Sequence, residues 1–199
     1  MALSELFHKP EVVILKESGE SRQYLDKLEA LPPQTSGALK KKVEKEIAVT
    51  RAGIAGEDTI LFELRNSGMD LFVLQDLYIE TGDLSAQIDF LVITKKLNFV
   101  LECKNLFGNL EINEKGDFIR TMEYGGNKVK EGIYSPITQN ERHMQVIKAL
   151  RVENTGPLLT AVKLASFSNV WKSLVVLANP KTVVNDRQAK KDVRDKVIR

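Results

Sequence analysis

The stretch AQIDFLVITKKLNFVLECKN, residues 86–105, sets ionisable side chains inside two apolar runs. Asp89 sits in the first run, and Glu102 and Lys104 close the second, which opens at Phe99. Charged groups are seldom buried unless they are paired or bound to a metal. Both runs are rich in β-branched and aromatic residues and short enough to predict strands. The polar Lys95-Lys96-Leu97-Asn98 between them predicts an antiparallel hairpin. Alternation along a strand puts Gln87, Asp89, Leu91 and Ile93 on one face, with Ile88, Phe90 and Val92 on the other. It likewise groups Val100, Glu102 and Lys104 against Phe99, Leu101 and Cys103. If the acidic faces align, two carboxylates and an ammonium meet at one sheet end, a place for a hard cation with a lysine beside it. A partly buried salt-bridge cluster would use the same residues without chemistry.

Asp89 followed, after a gap, by Glu102-Cys103-Lys104 resembles the core of the PD-(D/E)xK nucleases of the restriction-endonuclease-like fold. More narrowly, residues 53–150 resemble the nuclease-related domain (NERD) family. The resemblance rests on Gly56-Glu57, Gln87-Ile88-Asp89 with the apolar run to Ile93, and Val100-Leu101-Glu102-Cys103-Lys104-Asn105. Gly108 and Pro136 with Gln139-Asn140 complete it. Ile88 stands where the wider superfamily often has proline.

The resemblance implies a divalent-metal-dependent nuclease, with DNA as the expected substrate and RNA left open. Mg²⁺ takes oxygen ligands, keeps several waters and needs only one or two carboxylates. On this reading Asp89 and Glu102 hold Mg²⁺ or Mn²⁺, Glu57 points into the site from a helix, and the Cys103 carbonyl adds an oxygen. Lys104 faces the phosphate or the attacking water, and Gln87 orients one of them. A helix opening at Pro136 brings Gln139, Asn140 and Arg142 to its first two turns, and helix N-termini attract phosphate. His143 reads either as an ordinary polar residue or as a nucleic-acid contact. The rival reading is a catalytically inactive nuclease-fold module that binds nucleic acid or recruits a protein partner. No CxxC or clustered histidine suggests zinc, no Walker or Gly-x-Gly-x-x-Gly motif suggests nucleotide binding, and two histidines give acyl transfer little support.

The chain has 199 residues, 43% hydrophobic and 28% charged, which suits one globular domain with a real core. A net charge of +2 neither demands nor excludes nucleic acid, because a local basic face is sufficient. The single cysteine, the lack of an apolar leader and the lack of a membrane-length apolar run predict a cytoplasmic protein. No membrane partner is expected, and homo-oligomerisation is left open.

The predicted fold class is α/β (α+β): a restriction-endonuclease-like core, a central mixed sheet flanked by helices in the order αβββαβ, with extra N-terminal helices. Residues 1–37 form an N-terminal extension, helical in part; 38–180 form the nuclease-like domain; 181–199 form a charged C-terminal helix that suggests a larger parent protein. Residues 12–15 are a strand or an irregular segment, and 21–31 a short helix stopped by Pro32-Pro33. A long helix spans 38–66, with Lys40-Lys41-Lys42 either contacting phosphate or solvated. Its Gly53 and Gly56 each cost about 1 kcal/mol against alanine, which suggests a close approach by the sheet. Strands follow at 71–79 and through the central hairpin. A second hairpin at 110–112 and 118–122 extends the sheet edge, and a polar loop runs from 124 to 135. After the helix at 136–152 comes a mixed segment at 158–167 and a buried strand at 171–178.

Overall fold

The computed structural model describes residues 9–17, 19–31 and 36–199. The Pro32-Pro33 stop lies outside the described residues. A short strand β1 (Val12–Lys16) and helix α1 (Glu20–Glu29) precede the long helix α2 (Gly37–Arg65). An antiparallel meander follows: β2 (Leu71–Thr81), β3 (Leu84–Ile93) and β4 (Asn98–Lys104). Strands β5 (Asn109–Ile112), β6 (Phe118–Tyr124) and β7 (Asn127–Ile133) lead into α3 (Pro136–Val152) and α4 (Pro157–Val170). The chain finishes with β8 (Trp171–Leu177), β9 (Val183–Asn185), the four-residue α5 (Lys191–Arg194) and β10 (Val197–Ile198).

Among the described residues six strands form the main sheet, in the order β1-β2-β3-β4-β8-β10. The meander is its centre, and β8 returns parallel to β4 after the α3–α4 crossover. The expected αβββαβ order is therefore present as α2, β2–β4, α3 and β8, within a mixed α/β architecture. Helix α2 covers one face, where Ile60 and Leu61 pack on Leu71, Val73, Phe90, Val92 and Leu101. Helix α3 covers the other, where Val146 and Ile147 meet Ala86, Ile88, Leu91 and Val100. Burying both faces explains why the strands read as nearly continuous apolar runs.

Several expectations need correction. The second hairpin does not extend the main sheet; it builds a separate sheet, β7-β6-β5-β9, packed through Leu110, Ile112 and Phe118 against Val175 and Leu177 of β8. Residues 124–135 are not a loop. They contain strand β7, joined to β6 by Gly125-Gly126, both at positive φ as a tight two-residue hairpin turn requires. Its mostly exposed NKVKEGI carries no apolar alternation by which it could be recognised. The mixed segment is helix α4. The charged C-terminal helix is mostly extended chain: β9 joins the second sheet and β10 the main one, leaving only α5 helical. Of the two glycines on α2, only Gly56 faces the sheet; a Cβ there would lie 2.7 Å from Asn105 Cβ and 3.1 Å from Cys103 Sγ, whereas one at Gly53 would meet nothing.

The strand faces also differ from simple alternation. Ile88 packs on the α3 side with Ala86, while Phe90 and Val92 pack on the α2 side. On β2, Leu71 and Val73 face α2, yet Leu74, Leu77 and Ile79 all face α3. Both strands thus change phase at one level, between the ladder pairs Gln75↔Phe90 and Leu77↔Ile88. The residues at that level are Asp76 and Asp89. Asp76 has φ +55°, a left-handed conformation uncommon outside glycine, and one such residue turns the following chain over as a bulge does.

Candidate active site

The β3–β4 ladder runs from Ile93↔Asn98 to Phe90↔Leu101 and stops there. The next position would set Asp89 against Glu102. Instead an Asp89 carboxylate oxygen accepts the Cys103 backbone N–H at 2.7 Å, doing a strand partner's work with a side chain. β4 continues alone along β8, with Glu102↔Val175 through Lys104↔Leu177. The two strands part, and the acidic residues line the opening. A strand residue's N–H and C=O point to the same edge, so the Cys103 carbonyl faces the opening as its N–H does. Lys104 points its backbone carbonyl the other way, to the Ala178 N–H.

Glu102 is 1% exposed. One of its oxygens accepts from Lys104 Nζ at 2.6 Å; the other has no hydrogen-bond partner and lies 3.6 Å from His143 Nδ1, which also has none. Lys104 Nζ donates as well to Gln139 Oε1 at 3.3 Å, so the first turn of α3 orients the ammonium. The α3 N-terminus is set by Pro136 within its first turn and by Ser135, whose hydroxyl accepts the Thr138 N–H. From the opposite face Glu57 comes off α2, where buried Gln75 donates to it at 2.9 Å. The contact of Gly56 with Cys103 and Asn105 brings α2 close enough, and Asn105 Nδ2 donates to the Ala52 carbonyl at 2.6 Å.

Crowding several carboxylates in a desolvated cleft disfavours their charge. Burial, opposed by the Gln75 bond and reinforced by Asp89, pushes Glu57 up to about 7. Burial and the neighbouring Glu102 push Asp89 up to about 7. Glu102 is raised by burial against the opposing pull of Lys104. Burial and then Lys104 lower the His143 imidazole, which favours its neutral form. Cys103, on the α2 side, is pushed far above the thiol range by burial and the surrounding carboxylates, which makes it a small apolar packing residue.

The structure thus brings Glu57, Asp89, Glu102, Lys104, Gln139 and the Cys103 backbone to one cleft. It sets the other named residues apart. Asn140 is fully buried, its amide donating to the Val100 and Leu174 carbonyls at 2.9 and 3.0 Å; it braces α3 to β4 and β8 and has no surface to offer nucleic acid. Arg142 is exposed, 5.5 Å over the Tyr134 ring. Gln87 is exposed, and because of the phase change its amide donates to Asp76. Gln75 and Asp76 were not singled out from the sequence, although a polar pair inside LFVLQDLYI was a visible signal.

Among the described residues no three His, Cys, Asp or Glu side chains close into a metal cage. An open site of one or two carboxylates with water completing the shell is what Mg²⁺ takes, and buried Glu102, with one oxygen unpartnered and Asp89 in the adjacent register position, fits that need. No helix among the described residues is long and apolar enough to cross a membrane.

Neither a curated protein nor a solved structure matches the chain significantly. A family model described as nuclease-related domain matches residues 52–178, well over half of the chain. The matched region runs from the α2 turn ahead of Glu57 to just past β8 and holds every residue of the cleft; the chain belongs to the nuclease-related domain family.

Proposed function

We propose that this protein hydrolyses phosphodiester bonds in DNA with Mg²⁺ or Mn²⁺. The observation that carries the reading is Glu102: fully buried, one oxygen on Lys104, the other without a partner, and Asp89 in the adjacent register position. A buried carboxylate with a half-buried one beside it is costly alone and is relieved by a dication. Asp89 and Glu102 would hold the ion, with Glu57 and the Cys103 carbonyl as further oxygen donors. When bound, the ion supplies Lewis-acid stabilisation of the phosphate and a more acidic water.

The remaining work falls to the chain. Lys104, fixed between Glu102 and Gln139, directs its ammonium at the scissile phosphate and stabilises charge as it develops. His143, packed on Glu102, keeps water from that side of the carboxylate. Arg142, exposed on the early turns of α3, contacts a flanking phosphate. The second reading is a nuclease-fold module without turnover that binds nucleic acid or recruits a protein; the close Lys104–Glu102 ion pair, which holds a sheet end together without doing chemistry, favours it. Incubation of supercoiled and linear DNA with the protein under Mg²⁺, Mn²⁺ and EDTA decides between them. Cleavage with either ion that EDTA abolishes supports the nuclease; salt-dependent binding without cleavage under any ion supports the module.

A further inference from the structure

The first two turns of α3 lie along the face of β4 that carries Val100, Glu102 and Lys104. Asn140 anchors the helix there, its amide donating to the Val100 and Leu174 carbonyls at 2.9 and 3.0 Å. With that anchor set, Gln139 and His143 stand four residues apart on one side of the helix. Glu102 and Lys104 stand two apart on one face of the strand. The two pairs match. Gln139 Oε1 accepts from Lys104 Nζ at 3.3 Å, and His143 Nδ1 lies 3.6 Å from Glu102 Oε2. The second approach sets face to face two buried side-chain atoms that have no hydrogen-bond partner. Glu102 is 1% exposed and His143 9%, so water does not take the place of a partner for either. Such buried polar atoms are costly when left unmade. An adjustment of about half an ångström completes the hydrogen bond. An ionised carboxylate only accepts, so the hydrogen belongs on Nδ1.

We propose that His143 is a positioning residue: its Nδ1–H donates to Glu102 Oε2 and, with Lys104 on Oε1, fixes the plane of the carboxylate. The inference rests on the cation-dependent nuclease reading above, in which Glu102 holds the ion. The last torsion of a glutamate side chain is broad, so one bonded oxygen leaves the carboxylate free to turn. Lys104 supplies that one bond at 2.6 Å. A donor on the other oxygen removes the remaining freedom. Each carboxylate oxygen has two lone-pair sites, so Oε2 meets His143 and still offers one to the ion. Burial keeps His143 away from nucleic acid, and its part is to orient a ligand. Packing alone does not call for a histidine here. A methionine or leucine fills the space between α3 and β4 without stranding a polar nitrogen.

Two measurements on the full chain test this. The chain has two histidines, His8 and His143, so in a ¹⁵N-labelled sample the His143 ring signals are those lost in a His143 variant. At about pH 8, where imidazoles are largely neutral, the His143 hydrogen should sit on Nδ1. A hydrogen on Nε2 overturns the contact. The second measurement compares variants. His143→Asn keeps a donor near the position of Nδ1, whereas His143→Met and His143→Leu fill the space without one. In the Met and Leu variants DNA cleavage with Mn²⁺ should fall about tenfold or more, chiefly in kcat, and calorimetric Mn²⁺ binding should weaken, as losing the hydrogen-bond partner of a ligand does. The Asn variant should stay within about threefold of wild type in both readouts, because the carboxylate keeps its second donor. A packing role gives the reverse order, with Met and Leu close to wild type and Asn poor. That order, or equal behaviour of the three variants beside an active wild type, overturns the positioning role and leaves the nuclease reading standing. A wild-type chain that neither binds Mn²⁺ nor cleaves overturns the nuclease reading and the role of His143 in it, even with the hydrogen on Nδ1.

Discussion

Replacing Asp89 by asparagine should stabilise the metal-free protein while removing a proposed cation ligand. The carboxyl moves from 3.8 to about 7 on folding, driven first by burial and then by Glu102. Each unit is worth about 1.4 kcal/mol, so ionised Asp89 costs the fold up to about 4 kcal/mol. The sign follows from the direction of the shift. Between about pH 4 and 7 the group is neutral in the folded state and ionised in the unfolded state, so folding takes up a proton and stability falls as pH rises through that window. Above about 7 both states are ionised and the whole cost is present. The amide keeps an oxygen for the Cys103 N–H and carries no charge. Near pH 8 the variant should gain about 2–4 kcal/mol, which moves the urea midpoint up by about 1 M at the slope expected for a domain of this size. At about pH 5 the gain should shrink to about 2 kcal/mol or less, because folded wild type is then neutral at this position. Mn²⁺ should restore wild-type stability near pH 8 and leave the variant's unchanged. A midpoint that drops near pH 8, or a gain of equal size at both pH values, would refute the account of a desolvated, repelled carboxylate.

Lys104→Ala should leave Mn²⁺ affinity equal or tighter, because an ammonium is no ligand and repels the ion, while cleavage falls roughly 10²–10³-fold; equal cleavage rates in gel assays would return Lys104 to the role of a surface partner of Glu102. Gly56→Ala should cost about 1–3 kcal/mol in urea unfolding, since its Cβ would press on Asn105 and Cys103. Gly53→Ala should instead gain up to about 1 kcal/mol, as its Cβ meets nothing. Asn140→Ala should lose about 2–4 kcal/mol by stranding two buried carbonyls, yet leave the salt dependence of DNA binding as it was. Arg142→Ala should do the reverse, keeping stability and lowering the salt slope by about one unit, checked by binding at several ionic strengths.

The sequence alone determined the central meander, because strands buried on both faces must be apolar, and charges inside such runs stand out against them. It therefore pointed to Asp89, Glu102 and Lys104, while Glu57 and Gln139 were reached through the resemblance to the nuclease-related domain family. It did not reveal β7, whose exposed polar residues carry no period, nor the extended C-terminal segment, whose charges read as a helix face although its pairing with β5 and β8 decides its form. Asn140 and Arg142 stand two residues apart and both looked like polar residues at a helix start. Only the docking of α3 sends one into the core against two carbonyls and leaves the other at the surface. The same holds for the faces of β2 and β3. Alternation is a local rule, and it breaks at Asp76, whose backbone is left-handed and whose carbonyl accepts from Lys16, sixty residues away along the chain. The polar Gln75-Asp76 pair is visible in the sequence, but the direction the chain turns there goes with pairing to β1, far away along the chain, and so it belonged to the tertiary structure to decide which way the carboxylates of this cleft face.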